Sequence, residues 1–112
     1  GITWTGSSFV VAGGSYSSFS GLEEDTSIIF TSTDGTNWIS IDPGINGVLQ
    51  DIEWTGTQLL TVAENSNLLT STDGTSWTIT PTISSNGHHC VLEYQGTTLI
   101  GGGNGTILYQ EN

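Results

Sequence analysis

Short apolar runs separated by turn residues recur along the whole chain, and none of them has the 3.6-residue period of an amphipathic helix. The runs are rich in Val, Ile, Thr and aromatic residues, which favour β-strands. Gly, Asn, Asp and Ser lie between the runs and favour tight turns. The pattern therefore predicts an all-β protein in which each strand turns back to an antiparallel neighbour.

The first two strands of this pattern repeat with a spacing of about forty residues. The sequence ITWTG at residues 2–6 matches IEWTG at 52–56 and LEYQG at 92–96, and each copy is followed by a second apolar run. Because the turn glycine follows two residues after an aromatic residue, we predict that the aromatic residues end the first strands in equivalent positions. They are Trp4, Trp54 and Tyr94.

A third and a fourth strand complete the repeated unit. The third run, IIFTS at 28–32, recurs as LLTS at 68–71 and as ILYQ at 107–110. The fourth run follows Asp-Gly and occurs at 37–41 and 76–80, without a third copy. We therefore predict three tandem four-stranded antiparallel meanders, the last one incomplete.

The units are predicted at about 1–47, 48–87 and 88–112, within a single domain. The first unit is longer because residues 15–26 form an inserted loop. The alternative fold is a β-trefoil, which also has three four-stranded units of about forty residues. The missing last strand favours stacked meanders over the trefoil.

The sequences TSTDGTNW at 31–38 and TSTDGTSW at 70–77 resemble the blades of bacterial β-propellers of the sialidase Asp-box type, also called BNR-like repeats. The resemblance covers nearly the whole chain and implies propeller-like blades. The Asp stands directly before Gly and four residues before Trp, which departs from the usual Asp-box spacing. Sialidase activity is not implied, because it needs arginines to hold a substrate carboxylate and this chain has none.

The two Asp-Gly pairs are predicted to cap turns between the third and fourth strands. Asp34 and Asp73 can accept hydrogen bonds from backbone N–H groups two residues on, and Gly35 and Gly74 can take a positive φ. A calcium site is the alternative, but it would need several more oxygen ligands.

Trp38 and Trp77 lie at equivalent places after these turns. We expect both to cover the contact between neighbouring sheets, since a large aromatic side chain buries much apolar area. Stacking against a sugar is the alternative role.

Charge excludes several classes of partner. The chain has no Lys or Arg and a formal net charge of −11, so it lacks the cations that bind phosphate groups. We predict no binding to nucleic acid and, since no apolar run approaches about eighteen residues, no membrane insertion. Many Ser and Thr residues and the absence of Met indicate a processed extracellular protein or one on a cell or virion surface.

No cofactor or metal is predicted. His88, His89 and Cys90 offer nitrogen and sulfur donors, but zinc takes about four ligands and Glu93 is the one further candidate nearby. Neighbouring residues on a strand also point to opposite faces, which separates the two histidines. The role of this segment stays open.

Two groups of carboxylates stand out in the sequence. The cluster Glu23-Glu24-Asp25 is interpreted as part of a solvated loop. Asp51, Glu53 and Glu93 lie on predicted first strands, which line the centre of a propeller, and would be the catalytic candidates of a glycosidase fragment.

Asn104 begins the sequence Asn-Gly-Thr in a predicted turn and is the predicted glycosylation site.

Sheets with apolar faces need neighbours to cover them, and a closed propeller uses about four to eight. The run Ile107, Leu108 and Tyr109 is a third strand without its fourth, so we predict that its edge self-associates. The favoured function is a non-enzymatic extracellular module that self-assembles as a homo-oligomeric ring or a filament. The alternatives are a carbohydrate-binding lectin or adhesin domain, with glycans as partners, and a fragment of a larger propeller glycosidase.

Overall fold

The computed structural model describes residues 1–16, 25–82 and 86–111. In these ranges the chain is all-β, and its strands form three separate antiparallel sheets of four, four and three strands. The predicted fold class of three tandem meanders, the last incomplete, is confirmed. The trefoil alternative does not hold, because strands of different units do not join one sheet.

Each sheet is a meander in which neighbours in sequence are neighbours in space. Sheet 1 consists of β1 (Ile2–Trp4), β2 (Phe9–Ser15), β3 (Thr26–Ser32) and β4 (Ile39–Ile41). Sheet 2 consists of β5 (Leu49–Trp54), β6 (Leu59–Ala63), β7 (Asn67–Ser71) and β8 (Thr78–Pro81). Sheet 3 consists of β9 (His88–Tyr94), β10 (Thr97–Gly102) and β11 (Ile107–Glu111), with a 3₁₀ turn at Gly103–Gly105.

The first hairpins of sheets 1 and 2 close in the same way. The Thr5 N–H donates to the Ser8 carbonyl at 2.9 Å, and the Ser8 N–H donates back to the Thr5 hydroxyl at 3.1 Å. Thr55 and Gln58 repeat both contacts at the same distances. A threonine after the aromatic residue therefore closes these two hairpins.

The first hairpin of sheet 3 is shorter. Tyr94 pairs directly with Thr97, and the two residues between them have positive φ. Positive φ at both central residues is the geometry of a two-residue hairpin turn. Tyr94 therefore closes the hairpin, at the place that Thr55 takes in sheet 2.

This shift by one residue changes the face on which the aromatic residue lies, because side chains alternate along a strand. Glu93, not Tyr94, takes the place of Trp54. Trp54 packs against the core between sheets 1 and 2, whereas Tyr94 is 60% exposed. The three aromatic residues do end their first strands, but Tyr94 is not equivalent to the two tryptophans.

The sheets stack face to face, with sheet 2 in the middle. The core between sheets 1 and 2 contains Val10, Ala12, Ile29, Leu49, Ile52, Leu59, Ala63 and Leu69. The core between sheets 2 and 3 contains Leu60, Val62, Leu68, Val91 and Ile100. Since β6 contributes to both cores, all five of its residues are buried.

We expect Leu69→Ala to lower the free energy of unfolding by about 2–5 kcal/mol, because Leu69 is fully buried in the first core and its truncation leaves a cavity. Ile39→Ala is the matched control, since Ile39 is mostly exposed on β4, and should change the stability by about 0.5 kcal/mol or less. Urea unfolding measures both. Equal losses would contradict the described packing.

Candidate functional site

Asp34 organises the turn between β3 and β4. Its Oδ1 accepts the backbone N–H groups of Thr36 and Asn37, both at 2.8 Å, and its Oδ2 accepts the Asn37 side-chain amide at 2.8 Å. Asp73 repeats the backbone contacts with Thr75 and Ser76 at 2.9 Å. Both carboxylates therefore hold the backbone of their turns.

A serine two residues before each Asp completes the turn and was not singled out from the sequence. The Ser32 hydroxyl donates to Asp34 Oδ1 at 3.0 Å and accepts the Gly35 N–H at 2.8 Å. Ser71 makes the same two bonds with Asp73 and Gly74. The serine stands at the same place in both copies of the motif, and this repetition is the signal by which it could have been found from the sequence.

These hydrogen bonds favour the charged carboxylates. The N–H groups of Asn37 and Thr36 hold the pKa of Asp34 well below its usual range. The N–H groups of Ser76 and Thr75 lower the pKa of Asp73 to about 2. Gly35 and Gly74 take the positive φ of 78° and 83° that the turns require.

The two tryptophans after these turns differ in their surroundings. Trp77 is partly buried, packs against the first core and donates its indole N–H to the Gly74 carbonyl at 3.0 Å. Trp38 is 40% exposed, and its ring centroid lies 6.4 Å from that of Phe9. Only Trp77 lies between two sheets of this chain, because sheet 1 has no neighbour on the side of Trp38 among the described residues.

The two carboxylates of β5 bind the backbone of sheet 3. Asp51 Oδ2 accepts the Val91 N–H at 3.0 Å, and Glu53 Oε2 accepts the Glu93 N–H at 2.8 Å. These N–H groups lie on the edge of β9 that no strand of the described chain pairs with. Side chains of one sheet thus satisfy the open edge of the next.

Glu93 bonds locally, since its Oε1 accepts the Gly96 N–H at 2.6 Å. Asp51 also accepts the Ile52 N–H through Oδ1 at 2.9 Å. The three carboxylates considered as glycosidase candidates therefore all hold backbone N–H groups. Each of them is thus engaged with the backbone of the sheets, and Asp51 and Glu53 join sheet 2 to sheet 3.

His88 is fully buried between sheets 2 and 3, which the sequence did not indicate. The Thr82 hydroxyl donates to the Ser66 carbonyl at 2.9 Å and lies 2.8 Å from His88 Nε2. Since that hydroxyl proton is used, Nε2 carries a proton and donates it to Thr82. Nδ1 is then unprotonated, buried and without a hydrogen-bond partner.

Burial lowers the pKa of His88, and the nearby His89 lowers it further. His89 and Cys90 are exposed, so the three residues do not converge on one point. Within the described ranges, no group of three or more His, Cys, Asp and Glu side chains has the arrangement of a metal site.

Asp25 is the described member of the acidic loop cluster, and Glu23 and Glu24 lie outside the described residues. Burial and a hydrogen bond with Asp25 raise the pKa of Glu64. Glu64 Oε1 also accepts the Val48 N–H at 3.2 Å. Asp25 is therefore part of a contact between sheets 1 and 2.

Asn104 is exposed in the 3₁₀ turn, with a φ of 58°. Its side-chain amide donates to Asn86 Oδ1 at 2.9 Å, and Asn86 in turn donates to the Thr106 hydroxyl at 2.8 Å. An N-linked glycan replaces one of the two amide hydrogens, so the other can still bind Asn86. Glycosylation of Asn104 stays a prediction.

The predicted self-association edge is β11, which pairs with β10 alone among the described strands. Ile107 and Tyr109 are 78% and 75% exposed, and Leu108 packs against the second core. An apolar cleft of about 280 Å³ lies beside β11, between Pro81 of β8 and Ile100 of β10.

The site geometry and the fold define an all-β protein of repeated, blade-like sheets. Comparisons of the chain with protein-family models, with curated proteins and with solved structures gave no match. The described part of the chain contains no helix with the length and apolar character needed to cross a membrane.

We expect Asp51→Ala to lower the free energy of unfolding by about 1–3 kcal/mol, because it leaves the Val91 N–H without its acceptor. Glu111→Ala removes the same charge type from an exposed position and should have little effect. Urea unfolding at neutral pH compares the two. A result in which both variants match the parent protein would show that the carboxylate contributes nothing to the contact between the sheets.

His88 should make the fold sensitive to mild acid. Burial holds its folded-state pKa below the usual 6.5. The stability that depends on neutral His88 is therefore fully present above about 6.5 and is lost as the pH falls from 6.5 toward the folded-state pKa. We expect the free energy of unfolding to fall between pH 7 and 5, and His88→Gln to flatten this decline. His89→Gln, at the exposed neighbour, removes the smaller of the two effects on the pKa of His88 and should keep most of the decline. A parent protein equally stable at both pH values would contradict the described burial.

Proposed function

We propose that this chain is a non-enzymatic extracellular assembly module whose array of sheets is completed by other copies, joined head to tail. The observation that carries this proposal is that sheets 1 and 3 each have an apolar face with no neighbour in the described chain. The Ser- and Thr-rich composition without Lys, Arg or Met supports a place outside the cell or on a cell or virion surface. We also propose that the sheets are similar to the blades of Asp-box propellers.

The outer face of sheet 1 is aromatic. The ring centroids of Trp4 and Phe9 are 4.6 Å apart, and Phe9 lies beside Trp38. Val11, Phe30 and Trp38 line a shallow depression on the same face. A contiguous apolar surface of this kind is typical of a protein–protein contact.

The outer face of sheet 3 is aliphatic and aromatic. Val91 and Ile100 face sheet 2, so the alternating residues of the same strands face away from it. The large exposed apolar residues of sheet 3 are Leu92, Tyr94, Ile107 and Tyr109.

The two outer faces correspond to the two sides of the junctions inside the chain. Phe9 follows its hairpin as Leu59 does, and Leu59 is part of the face of sheet 2 that packs on sheet 1. Because Glu93 takes the place of the tryptophan in sheet 3, Leu99 of β10 corresponds to Val10 of β2. Val10 is part of the face of sheet 1 that covers sheet 2. Sheet 3 of one copy can therefore cover sheet 1 of another as sheet 1 covers sheet 2.

A contact of this kind is heterologous, and it gives a ring if the rotation closes and a filament if it does not. Two copies supply six sheets, inside the range of about four to eight for a closed propeller. The net charge of −11 on each copy opposes association, so salt should strengthen it.

The alternatives have weaker support. A lectin that uses Trp38 and Trp77 has one exposed ring, since Trp77 packs against the first core. A glycosidase fragment would have to use Asp51, Glu53 or Glu93, whose carboxylates bind backbone N–H groups.

Two charge variants test the head-to-tail contact. Val11→Asp blocks the outer face of sheet 1, and Ile107→Asp blocks that of sheet 3. We expect the parent chain to associate with increasing concentration in sedimentation equilibrium. Each variant alone should be monomeric, and an equimolar mixture should form a 1:1 dimer, because one intact face of each kind remains.

Thr57→Asp adds the same charge in an exposed turn and should leave association unchanged. If either variant still forms homodimers, the contact between copies is two-fold and not head-to-tail. A parent chain that stays monomeric at micromolar concentration, with a melting temperature independent of dilution, would overturn self-assembly.

A further inference from the structure

A cleft of about 330 Å³ lies between sheets 1 and 2, where the β1–β2 hairpin meets the turn after β7. This volume falls in the lower part of the range of ligand pockets, about 300–1,000 Å³. Its lining combines one aromatic ring, one carboxylate and several hydroxyl groups. These groups complement a sugar ring, which presents a C–H face and several hydroxyl groups. The residues used below are Ser7, Thr31, Trp54, Thr72, Asp73 and Thr75.

Trp54 supplies a flat apolar surface in this cleft. Its side chain is partly buried and packs against the first core, so its indole ring is held by the fold. An aromatic face of this kind buries the C–H face of a pyranose ring and leaves the ring hydroxyls to polar neighbours.

Asp73 supplies the strongest acceptor. Oδ1 accepts the Ser71 hydroxyl and the N–H groups of Thr75 and Ser76. The Thr75 hydroxyl also bonds this carboxylate, and Oδ2, which accepts none of the three bonds above, retains a lone pair for a ligand hydroxyl. A charged acceptor makes hydrogen bonds about twice as strong as a neutral one does. Because these partners hold the carboxylate in the turn, it does not have to be ordered on binding.

The hydroxyl groups complete the polar wall. Ser7 lies on the β1–β2 hairpin and Thr72 in the turn after β7, both exposed, and Thr31 of β3 is a half-buried lining residue. A hydroxyl both donates and accepts, so it can match the ring hydroxyls of a sugar in either role.

We propose that this cleft binds a neutral pyranose sugar, with Trp54 against its C–H face and Asp73 accepting its hydroxyl hydrogens. Anionic sugars are excluded as ligands, because the chain has no Lys or Arg to pair with a carboxylate or sulfate group. The site lies within one chain and does not depend on self-association.

The register of sheet 3 confines the site to one junction. Glu93 takes the place of Trp54 at the junction of sheets 2 and 3, since Tyr94 closes the shorter hairpin. In the described part of sheet 3, the turn that would correspond to Asp73 is also missing. The chain therefore offers one such cleft among the residues that the structure describes.

Titration with four neutral methyl glycosides, those of glucose, galactose, mannose and N-acetylglucosamine, tests the proposal by amide chemical shifts and calorimetry. We expect saturable binding of at least one glycoside in the millimolar range, with shifts at Ser7, Trp54 and Thr72. Thr72→Tyr fills the cleft and should weaken binding at least tenfold. Ser7→Tyr, on the β1–β2 hairpin, should do the same and covers the case in which the first variant does not fold.

Thr33→Tyr is the matched control, because Thr33 stands before Asp34 as Thr72 stands before Asp73 but lies outside the cleft. It should bind as the parent does. N-acetylneuraminic acid should not bind. The proposal is overturned if none of the four glycosides binds, if Thr33→Tyr weakens binding as much as Thr72→Tyr does, or if the anionic sugar binds as tightly as the neutral ones.

Discussion

Sheet 2 can keep all five residues of β6 buried only while another sheet covers each of its faces. A small antiparallel sheet with two apolar faces cannot bury them by itself, and face-to-face stacking is the arrangement that removes both from water. The positions of the turns, of the inter-sheet cleft and of the open edges all follow from this stacking. The outer faces of sheets 1 and 3 present the same requirement again, and self-assembly is our proposal for how it is met.

This chain has no Lys or Arg with which its carboxylates could form salt bridges. Asp34 and Asp73 hold the N–H groups of their turns, and Asp51 and Glu53 hold those of the next sheet's open edge. Backbone N–H groups stabilise a carboxylate charge without a salt bridge. The same contacts remove N–H groups that would otherwise offer an edge for pairing with another chain. Acidic residues therefore serve the internal structure of this protein.

One difference in hairpin length separates sheet 3 from the other two. The shorter turn places Glu93 toward sheet 2 and Tyr94 on the outer face, because a shift of one residue exchanges the faces of a strand. The same shift leaves the second junction without the tryptophan of the first. The lack of a tryptophan at the second junction and the exposure of Tyr94 on the outer face of sheet 3 are thus two results of one local change in backbone geometry.

The all-β class, the number of units and the Asp-Gly turns could be predicted from the sequence, because alternation, turn residues and a repeat of about forty residues are visible along the chain. The same signals placed Asp34 and Asp73 between the third and fourth strands. The packing of the sheets was needed to show that His88 is buried, that Asp51 and Glu53 bind β9, and that Trp54 and Asp73 share a cleft. These facts depend on which sheet face meets which neighbour. That choice follows from hairpin register and packing across about forty residues, which no local pattern records.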